Sequence, residues 1–349
     1  MPELPEVQTT VDGLNAEVKG LKIVDAWTDY NSVFHAGKNN IKNPEYFSDF
    51  KKDVVGAKVL KASRYGKNVL IHLSNPTSPR LRGTGDKTIL VHMKMTGHFL
   101  YGKYEFDGMT WSPAEKPDGP GDDTERDGAS PQRGASRRRR GSPNPSGFEA
   151  ATLDPLLDPY NRHIHLIFTL SDKKHLAFSD TRKFAKIFIF ETKNEKAVED
   201  LMHLGPDPLS KEFTYKVFRE RLHKKPNWKI KQTLMDQEII SGIGNIYSDE
   251  ILWAAGVHPL SITSKIPEKN FREMHKNIKV ILKRGIDFGG DSMSDYRNIY
   301  GLPGKFQNKH NVYRRKGELC PKKDGGKIER IVVGARSAHF CGKHQKLYK

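Results

Sequence analysis

The sequence predicts an α+β protein of several domains: an N-terminal antiparallel β-sandwich or barrel led by a helix, a helical middle, and a small basic C-terminal module. Three observations predict it. Apolar residues recur every three or four positions at the start, alternate with polar ones over about 22–190, and return to a helical period after Lys193. The 349 residues suffice for two or three domains, and no apolar run approaches the roughly 20 residues of a membrane span.

Leu4, Val7, Val11, Leu14 and Val18 make one apolar helix face, with Pro5 in the first turn and Gly20 as the stop. Glu3 and Glu6 sit where carboxylates suit a positive helix end. Strand-like alternation follows in Val54–Ser63, Asn68–Leu73, Lys87–Tyr101, His163–Thr169, Leu176–Ser179 and Ala185–Phe190. Residues 113–147 interrupt it: 12 of the 35 are Gly or Pro and no large apolar residue is present, so that insertion is expected to be disordered. Its run Arg137–Arg140 either meets phosphate or is simply solvated. The helical stretch holds four expected helices, around Phe213–Leu222, Trp228–Gln237, Ile246–Ala255 and Phe271–Ile281, with a glycine-rich turn, Ser241-Gly242-Ile243-Gly244-Asn245, between the second and third. The expected domains are therefore 1–192, 193–300 and 301–349.

Lys and Arg number 59 against 42 acids, a formal charge of +17. Residues 301–349 carry 13 of the bases and three of the acids, whereas the insertion nets only +1. A basic terminal module that still contains Phe306, Tyr313, Phe340 and Ile331-Val332-Val333 points to a folded nucleic-acid binder rather than a tail. The start MPELPEV has neither the basic opening nor the apolar stretch of a secretory signal, so a cytoplasmic, bacterial-type location is expected. Two cysteines, Cys320 and Cys341, build no disulfide framework and direct attention to metal binding.

Removal of Met1 before the small Pro2 would leave a secondary amine. An α-amino group titrates near ~8, so part of it is a free nucleophile at neutral pH. Attack on a sugar carbon at the aldehyde level gives an iminium, an electron sink for eliminating a neighbouring phosphate, and the adjacent Glu3 is placed to move protons at the ring oxygen. The plainer alternative is a proline that introduces a helix. For Asn245 the two readings are phosphate binding at a helix start and capping of that helix.

Several separated stretches together decide between such alternatives. MPELPEVQTT, SRYGKNVLI around Lys67, VHMKMTG around Met95, DTRKF at 180–184, SGIGNIYSDE at 241–250 and GELC…RSAHFC at 317–341 resemble, in the same order, the formamidopyrimidine-DNA glycosylases, a DNA-repair family that also includes endonuclease VIII. The resemblance covers the chain except about 102–160. It implies an N-terminal β-sandwich, a helix-two-turn-helix domain and a C-terminal β-hairpin zinc finger. It also implies a monomer acting on damaged double-stranded DNA with no membrane and no organic cofactor. Pro2 becomes the Schiff-base nucleophile, Glu3 the general acid/base and Lys67 a lysine near the damaged nucleotide rather than a solvated turn residue. Asn245 and Arg336 become phosphate contacts. Met95, Arg182 and Phe184, with Lys183 between the last two, become the group that fills the gap left by an extruded base; the ordinary alternative for Met95 and Phe184 is core.

The finger departs from the family's C-x2-C…C-x2-C pattern. Lys323 stands where the second Cys belongs, and Cys341 is followed by His344 in the fourth place. One extra residue leaves Asp324 as an oxygen ligand, so the expected set for one Zn2+ is Cys320, Asp324, Cys341 and His344; otherwise hydrophobic packing alone holds the hairpin. The stretch Asp295-Tyr296-Arg297-Asn298…Gly304-Lys305-Phe306-Gln307-Asn308 resembles the branch acting on 8-oxoguanine and formamidopyrimidines. The expected activity is thus a bifunctional glycosylase and AP lyase with β,δ-elimination. The alternatives are an endonuclease VIII-like enzyme for oxidised pyrimidines and a non-catalytic DNA-binding protein, which retention of Met1 would favour.

Overall fold

The computed structural model describes residues 1–74, 85–114, 154–293 and 295–349; most of the 113–147 insertion, Arg137–Arg140 included, therefore lies outside the described residues. Helix α1 (Leu4–Glu17) starts at Glu3, whose N–H donates to the Glu6 carboxylate at 2.7 Å, and buries Leu4, Val7, Val11 and Leu14. The strands that follow are β1 (Ile23–Thr28), β2 (Val59–Tyr65), β3 (Asn68–Leu73), β4 (Lys87–His92), β5 (His98–Gly102), β6 (Tyr104–Phe106), β7 (Trp111–Pro113), β8 (Ile164–Leu170), β9 (His175–Ser179) and β10 (Lys186–Glu191).

They form two four-stranded antiparallel sheets, β1-β8-β9-β5 and β10-β4-β3-β2, while β6 and β7 pair separately. Alternate residues such as Val69, Ile71, Ile89 and Val91 meet Phe99, Leu166, Phe168 and Phe178 in the core between the sheets. The outer face of β3–β4 is covered as well: Leu70 and Leu90 pack with Leu201 and Phe188. β3 is consequently buried along its whole length and shows no alternation of exposure.

Two sequence expectations change. Lys87–Tyr101 is not one strand: β4 and β5 belong to different sheets and are joined by the turn Met93–Gly97, where Lys94 takes φ 57°. A side chain on Gly97 would lie 2.6 Å from the Met93 carbonyl oxygen, so the chain turns there only through glycine. Val54 does not open a strand but ends α2 (Pro44–Val54), a helix absent from the alternating reading. Asn43 caps it by accepting from the Glu45 N–H at 3.3 Å, and Phe50 and Val54 bury its apolar face.

The middle of the chain contains α3 (Glu199–Met202), α4 (Tyr215–Leu222), α5 (Ile230–Met235), α6 (Asn245–Ala254) and α7 (Glu268–Asp287). The common core around α4–α7 includes Phe213, Phe218, Leu234, Ile251, Phe271, Ile278 and, from the far end of the chain, Phe306. Leu4 belongs to this second core while Val7, Val11 and Leu14 belong to the first. Helix α1 thus bridges the two, and the chain start lies at their junction. The terminal hairpin is β11 (Ile328–Val333) with β12 (Arg336–Cys341), turned by Gly334 and Ala335 at φ 55° and 60°. Among the described residues no helix is long and apolar enough to cross a membrane.

Candidate active site

The junction that holds the chain start is built by the glycine-rich turn before α6. Leu4 N–H donates to the Gly242 carbonyl at 3.0 Å, and Gly242 adopts φ 91° where a side chain would strike Leu4. Two residues on, the Glu3 carboxylate accepts from the Ile246 N–H at 2.9 Å and the Tyr247 N–H at 3.4 Å. A Cβ on Gly244 would sit 2.5 Å from Glu3 Oε1, so the spacing of the two glycines serves this dock. The carboxylate occupies the positive end of α6 and satisfies donors that a helix start leaves free. Asn245 therefore does not cap the helix: Gly244 is the N-cap position and Glu3 supplies the cap from a distance. Asn245 Oδ1 is instead buried with no hydrogen-bond partner among the described residues, in a side chain that lines the cleft described next.

A cleft of about 530 Å3 opens between the two domains and the terminal hairpin. Its walls include Pro2, Glu3, Lys67, Met95, Arg182, Asn245 and Arg336. Seven residues spread over more than three hundred positions of sequence thus share one space, whereas Lys183 and Phe184 do not line it. Met1 also lines the cleft, so its removal places the Pro2 nitrogen there. Lys67 sits in the β2–β3 turn, is 7% exposed, and burial pushes its amine below the usual lysine range, with the Glu3 and Glu6 charges acting in the opposite direction.

Glu6 was not singled out from the sequence, where it reads as a helix-start acid. Its buried carboxyl accepts from the Glu3 N–H, from the Tyr247 hydroxyl at 2.8 Å and from the Asp291 N–H at 2.7 Å, tying α1, α6 and the Gly289–Met293 segment together. Burial and then the neighbouring Glu3 raise its pKa to about 7. Since the folded value lies above the unfolded one, stability tied to Glu6 is complete below the ordinary carboxyl range and is lost as pH rises through 7. Glu6→Gln should therefore remove a fall in unfolding free energy on the order of 3 kcal/mol between about pH 5 and pH 8, read by denaturant titrations at each pH.

Met95 and Arg182 reach the cleft from two loops held by one buried acid. Asp180 Oδ1 accepts from the Thr96 hydroxyl, and Oδ2 accepts from the Ala185 N–H at 2.8 Å; Thr96 Oγ1 in turn accepts from the Arg182 N–H at 3.2 Å. Phe184 is 51% exposed, which excludes the core reading, and the Arg182 guanidinium lies 4.5 Å from its ring centre. Lys183 points elsewhere, pairing with Asp29 at 3.1 Å.

The family model described as "Formamidopyrimidine-DNA glycosylase N-terminal domain" matches residues 1–187, and that of the family's H2TH domain matches 204–297. The formamidopyrimidine-DNA glycosylase of Bacillus licheniformis is 33% identical, with 99% of this chain and 100% of the relative aligned. The chain belongs to the formamidopyrimidine-DNA glycosylase family. Among solved family structures, a Lactococcus lactis Fpg variant bound to Fapy-dG-containing DNA superposes with a TM-score of 0.71 at 27% identity, covering 99% of this chain and all of the other. The wild-type Lactococcus lactis Fpg bound to DNA with an oxidised pyrimidine gives 0.70 at the same identity and coverage.

This family member's terminal hairpin brings together the four residues read as ligands. One donor atom from each of Cys320, Asp324, Cys341 and His344 lies within 4.8 Å of the others, close enough to surround one ion. Asp324 reaches the group because the turn after Cys320 is wide, with Lys323 and Gly325 both at positive φ. Hydrogen bonding from the Gly326 N–H, above all, lowers its pKa to about 2, so it is an anionic oxygen donor. A side chain on Gly326 would come within 2.5 Å of Cys341 Sγ. Trp253 of α6 abuts the group: its indole N–H donates to Cys320 Sγ at 3.5 Å and its carbonyl lies 3.2 Å from His344 Nε2.

Helix α6 is accordingly the strut between the cleft at Pro2 and Glu3 and the terminal hairpin, and two further acids on it escaped the sequence reading. Asp249 accepts from Lys231 Nζ at 2.6 Å and from the His339 N–H at 2.8 Å, with neither the Asp249 nor the Lys231 side chain exposed at all. Glu250 takes the N–H groups of Asn311, Val312 and Tyr313 at 2.9–3.0 Å. Together they fasten β12, which carries Arg336, and the segment before the finger to the helix that Glu3 caps.

Proposed function

We propose that this enzyme is a bifunctional DNA glycosylase and AP lyase of base excision repair that removes oxidised purines, with Pro2 as nucleophile. The observation that carries the reading is the meeting of Pro2 and Glu3 in one cleft with Lys67, Asn245 and Arg336, a nucleophile and a proton carrier among groups suited to phosphate.

The Pro2 nitrogen lone pair forms a bond to C1′ of the extruded nucleotide as the bond from C1′ to the base breaks, and the base departs with that electron pair and gains a proton. Glu3, fixed by two helix N–H groups, takes the proton that the Pro2 nitrogen sheds after bonding to C1′ and delivers it to O4′ as the sugar ring opens. The resulting iminium acidifies C2′. Loss of that proton expels the 3′ phosphate, a second elimination expels the 5′ phosphate, and water releases the sugar fragment from Pro2. Lys67, Asn245 and Arg336 hold the flanking phosphates, and Met95 with Arg182 fills the space vacated in the helix. One chain supplies every group, so a monomer suffices.

Zinc is the metal we assign to the finger, since two thiolates, one imidazole and one carboxylate suit a tetrahedral structural ion. It would crosslink the turn at Cys320 to the end of β12 and take no part in the bond changes. Native mass spectrometry should find one zinc per chain, and Asp324→Ala should lower that occupancy while sparing the sandwich domain.

The proposal is tested by borohydride trapping on duplexes carrying 8-oxoguanine opposite cytosine or an oxidised pyrimidine. A covalent adduct on the first, formed faster than on the second, is expected. Adducts confined to the pyrimidine lesion would reassign the substrate, and none on either would remove the lyase.

A further inference from the structure

A second cavity, of about 470 Å3, lies beside the catalytic cleft and is lined by His35, Lys38, Lys42, Lys94 and Lys186 together with Phe184; no acid is among the described residues that line it. Its position follows from the two loops already described. Met95 and Arg182 face the catalytic cleft, while their neighbours Lys94 and Phe184 face this second cavity, so the Met93–Gly97 turn and the 181–184 loop form the ridge between the two spaces. The stacking of Arg182 on Phe184 is the crest of that ridge.

We propose that this cavity is the phosphate seat for the undamaged strand, opposite the lesion; the inference rests on the reading of the protein as a duplex-DNA glycosylase. A wedge that replaces an extruded base stands between the two strands of its duplex. With the damaged strand in the catalytic cleft on one side of the ridge, the other strand passes over the opposite side, where the cationic cavity lies.

The local electrostatics fit an anionic occupant. Lys42 is only 6% exposed, with Nζ donating to the Lys183 carbonyl at 2.6 Å, so its stem is fixed and its charge stays local. Burial first, and then the Lys94 charge, lower its pKa, against an upward pull from Asp180. His35 is likewise held down by burial and by Lys42 and Lys38. Lys38, Lys42 and Lys94 repel one another and the protonated form of His35, and a bridging phosphate relieves that repulsion. The short turn that supplies His35 also leaves Val33 and Phe34 81% and 83% exposed, apolar side chains suited to cover a sugar face.

The test measures binding of wild-type protein and Lys38→Ala/Lys186→Ala to a duplex with a tetrahydrofuran abasic analogue, across a range of salt. Both lysines lie outside the catalytic cleft. The double variant should lower the slope of log K against log salt by about 2, with ~0.9 expected per lost phosphate contact. Replacing the phosphates opposite the lesion with neutral methylphosphonates should weaken wild type by tenfold or more and the variant far less. Borohydride trapping on a single-stranded abasic oligonucleotide should be equal for the two. An unchanged slope, or a loss that follows methylphosphonates in the damaged strand instead, overturns the assignment. Failure of wild type to trap any duplex would instead count against the glycosylase reading itself.

Discussion

Pro2→Gly should trap abasic-site and 8-oxoguanine duplexes about a hundredfold more slowly than wild type while keeping its thermal midpoint. A glycine at this position still presents an amine, but a primary one, whose imine must gain a proton before it can draw electrons from C2′. The proline iminium carries its charge permanently. The ring also fixes the nitrogen, whereas a terminal glycine rotates freely, and a misplacement of about 1 Å at the reacting atom is enough for a loss of that size. Binding to the tetrahydrofuran duplex should be unchanged, because the phosphate contacts assigned to Lys67, Asn245 and Arg336 do not involve the amine. Equal trapping by wild type and variant would mean that another amine attacks, and the buried Lys67 would be the first to examine.

Asp249→Ala should cost about 3–5 kcal/mol of unfolding free energy, the range for removing one partner of a buried ion pair. Among the described residues Lys231 Nζ would keep only the Asn245 carbonyl at 3.3 Å and Ser248 Oγ at 3.1 Å, with no counter-charge in direct contact. The His339 N–H would lose its acceptor as well. Because His339 is three residues along β12 from Arg336, DNA affinity should fall with stability, and hydrogen exchange should rise in the terminal hairpin before the sandwich. Asp249→Leu combined with Lys231→Met should regain much of the lost stability, since an apolar pair of similar volume removes the stranded charge. Urea unfolding of the three proteins separates loss of the pair from loss of packing.

Much of this site was legible in the chain because its parts lie in short stretches with unusual composition. The apolar face of α1 and the spacing Cys320, Asp324, Cys341, His344 are local patterns, and the structure assembles both as read. The helix Pro44–Val54 was lost to the surrounding alternation, although Asn43-Pro44 is a helix start and Tyr46, Phe50 and Val54 keep a helical spacing. The turn inside Lys87–Tyr101 was hidden because both flanking strands are buried and apolar, so only Lys94 and Gly97 marked the break.

The buried acids were harder to see. Glu6, Asp180, Asp249 and Glu250 resemble surface charges when read singly, since a carboxylate is seldom interior without partners. Their partners are backbone N–H groups and side chains mostly far along the chain, which no local pattern reveals. The one available signal was the pair Asp249-Glu250 between Ile246-Tyr247 and Ile251-Leu252-Trp253, an acidic interruption on a helix too apolar to face water.

The central claim is that the amine of Pro2, freed of Met1, bonds to the sugar. The most direct measurement is the mass of the N-terminal peptide released by protease from the borohydride-trapped complex. The account predicts a peptide beginning at Pro2 that carries the reduced sugar on its terminal nitrogen. A peptide that retains Met1, or an unmodified N-terminus with the sugar found on Lys67 or another lysine, would contradict it.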